Sequence, residues 1–507
     1  MNSNVDETRV PVLIGIGEVL DRPANDLDGL DAFDLMLAAL KAAEADAGVS
    51  VLDALDWLGV EDEISFPDPA PHERLAERLV AGGGRRPPHL LKTHEASGDG
   101  PIKLINDAAN LIGRGEISIA AAVGAEALRT AAKRAQAAIA AGHEPPKSSI
   151  ADVAEANAKP LARKHGLFTP IDVYPLYENA ARAAWGQTLA EGQAESGRIG
   201  EGFAAVAAAN PYAWIRKPVS AEAIATATPD NRMVSFPYTK MMVANSSVNM
   251  GAAVIVASLA KARELGVDES RIVYIGAGAA AHEDEDFLLR DSYTRAVSLE
   301  TTVLSALERN GLGASDIDHV ELYSCFPIVP KLARRVLDWP LDKPCSVYGG
   351  LTFGGGPIGN CMMHAAARMA AKLREGGDHG LIVANGGYAT HSHSMVFSRK
   401  PVPAGTFPQD YDVQPLADTR RGAAPELLAE YSGPGTIETY TIPFDRHGSP
   451  RHATIIGRSP QGARFIARVP ETDTATIAFL MTGDTEPVGT AGQVVTGPDG
   501  LAIWGSP

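Results

Sequence analysis

Short apolar runs of β-like composition alternate along most of the chain with alanine-rich stretches whose apolar positions recur every three or four residues. VPVLIGIGEV (10–19), ALDWLGVE (54–61), ISIAAAVGAEA (117–127), GAAVIVASLA (251–260), RIVYIGAGA (271–279) and IDHVELYSCF (317–326) read as strands. FDLMLAALKAAEA (33–45) and VSLETTVLSALERNG (297–311) have helical spacing. Strand and helix in alternation predict βα units and mostly parallel sheets, so the fold class is α/β.

The pattern repeats. SGDGPI at 97–102 and FGGGPI at 353–358 each precede an alanine-rich helix, which leads to a buried-looking strand and a glycine turn. Two halves built alike imply a duplicated α/β domain, with a site where equivalent loops converge. The first half is expected over 1–130 and 236–265, and the second over 266–414. Between them, 131–235 changes character: HEPPKSSIADV is followed by helical spacing in VYPLYENAARAAW and FAAVAAAN, which predicts a helical cap over the core. Beyond about 415, proline and glycine punctuate five short strand-like runs, TIETYTIPF, HATIIGRS, ARFIARV, TIAFLMT and GQVVTG. That texture predicts a small β-barrel or sandwich, OB-like, over 415–507.

Composition narrows the function classes. With 507 residues, 45% hydrophobic and 21% charged, the chain is a globular protein with more than one core. A net charge of -17 argues against nucleic acid as the main partner, since phosphate backbones are bound by basic surfaces. No apolar run reaches the ~20 residues that span a bilayer. Cys325, Cys345 and Cys361 form no CxxC pair, and MNSNVDETRVPVLIG lacks the basic and apolar regions of a signal peptide, so reduced thiols and a cytoplasmic location are expected.

The glycines of FGGGPIGN permit a close backbone approach, and the helix start after Pro357 offers unpaired N–H groups to an oxyanion. No lysine follows in the P-loop position, and the acidic residue of a dinucleotide site is not evident, so a nucleotide cradle is disfavoured. A ligand-free strand-to-helix turn is the plain alternative. ELYSCFP (321–327) and NGGYATHSH (385–393) end two further strands. With SGDGPI these make four strand-end segments, two from each half.

In these segments the sequence resembles the thiolase superfamily, particularly the sterol-carrier-type thiolases and the thiolase-like proteins. GGLTFGGGPIGN is similar to the family's GGxxxxGHPxG segment, ELYSCFP to its NEAF or HDCF segment and NGGYATH to its CxG turn. EASGDGPIKLINDAANLIGRG resembles the segment that starts with the nucleophilic cysteine. ANPYAWIRKPVSAEA and FPYTKMMVANSSVNMGAAVIVAS resemble the run through the loop domain and the last strand of the first half. The likeness covers roughly residues 8–400 in order and spacing. It implies a duplicated thiolase fold in an αβαβα layering with a loop-domain insertion, and the extra C-terminal segment points to the thiolase-like type 1 branch.

What the resemblance implies for chemistry is largely subtraction. The nucleophile position falls on Ser97 or Gly98, the activating histidine becomes Gly356, the HDCF histidine becomes Tyr323, and the CxG cysteine becomes Asn385. An unassisted serine hydroxyl is a poor nucleophile, and no base is visible beside Ser97. Cys325 matches a family cysteine with no nucleophilic role, and Cys361 has helical-core spacing. Tyr323 and Asn385 remain as hydrogen-bond donors to a carbonyl. Related thiolase-fold aldolases use tyrosines at such strand ends, which draws in Tyr388. His391 could supply a base, or pair with His393 as metal ligands; no third ligand is identifiable, so no metal is expected. HEDEDF (282–287) reads as a solvated acidic loop.

Ser246 matches a family position on the pantetheine arm of CoA. Candidate phosphate contacts are Arg129, Lys133 and Arg134, then Lys159, Arg163, Lys164, Arg216 and Lys217, with Arg163, Arg216 and Lys217 singled out. The expected function is a thiolase-like protein, of the kind labelled acetyl-CoA acetyltransferase, that acts on or binds CoA or acyl-CoA in lipid metabolism without ordinary thiolase activity. The alternatives are a non-catalytic acyl-CoA or lipid holder and an aldolase-type carbon–carbon lyase. No cofactor is expected, and a monomer is preferred to the thiolase-type homodimer because the added domain could cover the dimer surface.

Overall fold

The computed structural model describes residues 5–144, 158–401 and 406–505; most of HEPPKSSIADV therefore lies outside the described residues. Nine strands form one continuous sheet path, His89–Lys92, Trp57–Val60, Ile119–Ala127, Asn249–Ser258, Pro11–Leu20, Val273–His282, His391–Ser398, His379–Gly386, His319–Leu322. The two halves meet where Pro11–Leu20 pairs antiparallel with Val273–His282 through only Val12↔Tyr274 and Leu13↔Val273. Outward from that seam the order of strands is the same on both sides, which is the duplication in three dimensions. The first half carries one further strand at its edge, His89–Lys92.

The sheet is mixed rather than mostly parallel. Pairing is parallel from Trp57–Val60 to both its neighbours and between His319–Leu322 and His379–Gly386, and antiparallel elsewhere. The last strand of each half causes this. One returns after the long insertion and the other after the tight turn at 387–390, so each enters its sheet reversed.

Helices Gly100–Arg114 and Cys361–Glu375, the two that follow the SGDGPI and FGGGPI segments, pack against each other and against strands of both halves. Nearly all their apolar positions are buried, and small residues such as Ala365, Ala366, Ala367 and Ala370 allow the close approach. Ala32–Ala47 covers the outer face of the first sheet and Val297–Arg309 that of the second. This is the layered duplicated thiolase arrangement.

Helices Pro170–Ala184 and Leu189–Ala209 form the main body of the insertion. A buried ion pair ties it to the core: Lys331 Nζ donates to Glu178 Oε1 and to the Gly192 carbonyl, while Tyr238 Oη donates to Glu178 Oε2 at 2.8 Å.

At the C-terminal end Gly433–Pro443, Ala453–Arg458, Arg464–Val469, Ala502–Gly505 and Ala491–Thr496 pair in a ring and close a five-stranded barrel. Its core includes Ile437, Ile455, Phe465 and Trp504. One expected strand is wrong: TIAFLMT lies in the helix Thr474–Thr482. Asp473 caps it by accepting from Thr476 N at 3.1 Å and Gly483 ends it in the left-handed conformation, and these local signals outweigh the strand-like composition. The fifth strand is instead Ala502–Gly505.

Candidate functional site

A cavity of about 410 Å³ lies where the strand-end segments of both halves meet the insertion. Ser97 and Gly98 contribute from the turn before Gly100–Arg114, Tyr323 from the end of His319–Leu322, Gly356 and Ile358 from the glycine segment, and Gly386 and Gly387 from the end of His379–Gly386. Ser246 lies just ahead of Asn249–Ser258, and Thr169, Ile171 and Tyr174 come from the insertion. Ser97, Gly98, Tyr323, Gly356 and Ser246, distant in sequence, thus share one mostly apolar wall.

Tyr323 fills the space beside Gly98. A β-carbon on Gly98 would lie 2.6 Å from Tyr323 Oη and 2.3 Å from the Asn385 carbonyl oxygen, so residue 98 has no room for a side chain. Burial, with the Cys361 and Cys325 thiols close by, holds the Tyr323 phenol well above its ordinary value, so it remains a neutral O–H donor. Cys325, also on the wall, is pushed up to about 12 by burial, and burial raises Cys361 in the same direction. Neither thiol is a thiolate at neutral pH, and the thiolate is the nucleophilic form.

Gly356 is less crowded than Gly98 but not open: a β-carbon there would lie 3.3 Å from Asn245 O and 3.4 Å from Ala244 Cβ and Leu351 O, a tight fit without the overlap found at Gly98.

Asn385 is turned to a structural task. Its amide donates to Tyr174 Oη at 3.1 Å, and that hydroxyl donates to Gly387 O at 3.1 Å and accepts from Ala389 N at 3.0 Å. Tyr174 stacks on Phe326 with ring centroids 4.5 Å apart. The backbone N–H groups of Gly98 and Gly387 have no hydrogen-bond acceptor among the described residues, so the wall keeps two unspent donors.

Ser97 has a neighbour that the sequence reading overlooked. Its Oγ donates to Asp99 Oδ1, and its N–H donates to Glu61 Oε1 at 2.9 Å. His391 Nδ1 lies 3.9 Å from the same Asp99 oxygen, and its Nε2 is 2.6 Å from Glu285 Oε1. That Glu285 hydrogen bond, followed by the Asp99 charge, raises His391 to about 9 against its burial, so the ring is an imidazolium at neutral pH. Gly386 packs against this group, because a side chain there would strike Ser97 Oγ and Asp99 Oδ1. His393 is buried, pushed down to about 4 by desolvation, and lies 3.3 Å from Asn106 Oδ1. The two histidines thus engage different partners, and among the described residues no cluster of three or more His, Cys, Asp or Glu is arranged to hold a metal. Glu61, fully buried behind Ser97, is raised well above the carboxylate range, chiefly by desolvation. Part of the HEDEDF loop is buried rather than solvated: Glu283 accepts from Ser298 N and pairs with Arg290 and Arg421.

The cationic candidates separate. Arg216 and Lys217 are exposed just after Trp214, whose N–H donates to Gly354 O at 2.8 Å and so pins this segment to the glycine loop. The charges of Arg129 and Arg216 both act on Arg22, whose guanidinium stacks 4.3 Å over Trp214. Arg129 is paired with Asp26 at 2.8 Å, and Arg134 donates to the carbonyls of Leu27 and Gly29. Arg163, on the short helix Pro160–Lys164, does not line the cavity. Arg22 was missed by the sequence reading, because only the fold brings it to Trp214.

The same fold is found in known proteins. The model of the thiolase-like protein type 1 additional C-terminal domain matches residues 412–499. The crystal structure of a monomeric SCP2-thiolase like protein type 1 from Mycobacterium smegmatis is similar over 99% of this chain and 100% of its own, at 27% identity and a TM-score of 0.80. Human mitochondrial 3-ketoacyl-CoA thiolase in complex with CoA shares the fold over 78% of this chain and 99% of its own, at 16% identity and a TM-score of 0.58. An Ltp2-ChsH2(DUF35) aldolase does so over 77% and 97%, at 18% identity and a TM-score of 0.59. No curated protein matches the chain. The fold is that of the thiolase superfamily. Residues 412–499 match the additional C-terminal domain of thiolase-like protein type 1, and the chain is similar to the type 1 structure along its whole length.

Proposed function

We propose that the chain holds a CoA thioester in this cavity and does not carry out thiolysis. The observation that carries the reading is the convergence of Ser97, Gly98, Tyr323, Gly356, Gly387 and Ser246 on one mostly apolar cavity wall. In this reading Ser246 faces the pantetheine arm, and the exposed Arg216 and Lys217, with Arg22, take the phosphates. The Tyr323 phenol and the Gly98 and Gly387 N–H groups supply hydrogen bonds to a thioester carbonyl. Thiolysis needs a thiolate nucleophile and a base to form it. Gly98 removes the first, Gly356 removes the second, and Cys325 and Cys361 stay protonated.

A second reading, carbon–carbon cleavage of a β-hydroxyacyl-CoA, is favoured by Tyr323 and Tyr388 on the wall and by the fold shared with the aldolase. In it the bond between the α and β carbons breaks, and the β-hydroxyl proton passes through Ser97 Oγ to Asp99. The β carbon leaves as a carbonyl, and the α carbon takes a proton from Tyr323. The molecule is read as a monomer of the cytoplasm serving lipid metabolism. Among the described residues no helix is long and apolar enough to cross a membrane.

Calorimetric titration with CoA, acetyl-CoA and a β-hydroxyacyl-CoA, followed by mass analysis of the mixtures, tests this. Absence of binding by all three overturns both readings. Binding without a product identifies a holder, whereas a cleaved product that disappears in Tyr323→Phe identifies a lyase.

A further inference from the structure

The barrel contributes nothing to the cavity wall, yet its buried polar contacts end on both segments that shape it. Arg464, fully buried on Arg464–Val469, holds Glu438 through Nε at 2.9 Å and through a terminal nitrogen at 2.7 Å. Its other terminal nitrogen leaves the barrel and donates to the carbonyls of Leu288, at 2.7 Å, and Arg290. Arg290, itself buried, donates to the carbonyls of Tyr388, at 3.3 Å, and Ala389, at 2.9 Å, and to Tyr177 Oη at 3.1 Å. Tyr177 Oη in turn donates to the Tyr388 carbonyl at 2.9 Å.

The turn these groups hold is one that would not persist alone. Ala389 has φ +56°, a left-handed conformation that a non-glycine residue adopts only under strain. It is clamped by Arg290 on its carbonyl and by Tyr174 on its N–H. Gly387 and Tyr388 of the same turn line the cavity. The insertion's part of the wall is tied in the same manner: Thr454 Oγ donates to His165 O at 2.7 Å, Thr439 Oγ to Leu176 O, and Asn179 Nδ2 to Tyr440 O at 3.0 Å. These bonds fix the insertion on either side of Thr169, Ile171 and Tyr174.

We propose that the C-terminal barrel is the positioning element of the cavity, with Arg464 and Arg290 as positioning residues, so that barrel docking and ligand occupancy are energetically coupled. The coupling rests on reading the cavity as the ligand site; the strained turn and its clamp do not. Linkage makes the effect reciprocal. A ligand that favours the ordered turn must also tighten the barrel's hold on the core, although it touches no barrel residue.

Hydrogen–deuterium exchange by mass spectrometry on the full chain tests both parts. In Arg464→Met, amides of residues 386–391 are expected to exchange at least tenfold faster, with helix Ala32–Ala47 unchanged; Arg464→Lys, which keeps the charge and loses the fork, falls between. Unchanged exchange at 386–391 overturns the clamp. Should Arg464→Met exchange faster throughout, Thr439→Val, which cuts one tie and keeps the shape, is read at Thr169–Tyr174, and no local acceleration there counts against the proposal. Separately, saturating acetyl-CoA added to the unaltered protein is expected to slow exchange in Arg464–Val469 severalfold. Calorimetric binding of acetyl-CoA with no change in that strand overturns the coupling. Absence of binding overturns the ligand reading and leaves the clamp to be judged by the variants alone.

Discussion

A β-carbon on Gly98 would lie 2.6 Å from Tyr323 Oη, so the phenol ring occupies the space beside residue 98. Any side chain placed at position 98 meets the phenol on one side and the Asn385 carbonyl on the other.

Gly98→Ala is expected to destabilise the protein by about 1–3 kcal/mol, the usual range for overpacking a well-filled site. In a Tyr323→Ala background the same Gly98→Ala change should cost less, because the ring it strikes is gone while the Asn385 carbonyl remains. Denaturant unfolding of the parent, the two single variants and the double variant reads this difference, and an unchanged midpoint for Gly98→Ala would contradict the packing described.

Tyr323→Phe keeps the ring that fills this space and removes only the hydroxyl. Stability is expected to stay within about 1 kcal/mol, the scale of one hydrogen bond, and CoA-thioester binding to persist. Any turnover should fall to background. Retained turnover would move the proton donor elsewhere on the wall.

His391 predicts a definite pH window. Its folded-state value, about 9, lies above the ordinary histidine value of 6.5, with Glu285 the main cause, Asp99 next and Glu95 adding to them. A raised value of this sign stabilises the fold fully below 6.5, and the contribution is lost as pH rises through about 9. The stability gap between the parent and His391→Gln should therefore narrow between these limits. Titration of the His391 ring by NMR should give a midpoint that drops in Glu285→Gln, and an unchanged midpoint would remove Glu285 as the cause.

Lys331 and Glu178 make the buried ionic tie between core and insertion, with neither side chain reaching solvent. Lys331→Met leaves Glu178 charged and unpaired, at a cost of about 3–5 kcal/mol. Adding Glu178→Gln should recover much of it, since the amide still accepts from Tyr238. Equal stability of the single and double variants in thermal unfolding would show that the carboxylate finds another partner.

Much of this was legible in the chain. Strands such as Pro11–Leu20 and helices such as Cys361–Glu375 follow from periodicity over neighbouring residues, and the paired SGDGPI and FGGGPI segments disclose the duplication. The resemblance of four strand-end segments points to Ser97, Tyr323 and Gly356, which the fold brings to one cavity. TIAFLMT misled because a short β-branched apolar run has no decisive period, and Asp473 and Gly483 outside it determined its form. Asp99, two residues from Ser97, was within local reach and was overlooked. Arg22 at Trp214 was not, because those residues are 192 positions apart.

The sequence by itself determined most of the backbone segments that are strands and helices, and that they come in two similar sets. Those facts depend on residue types and near spacing. Only the tertiary structure decided that the space beside Gly98 is filled by Tyr323 and the Asn385 carbonyl, because that is a question of distance between segments from opposite halves. It also decided the barrel's place: Arg464 meets the Arg290 carbonyl across 174 positions of chain, a pairing that packing alone creates.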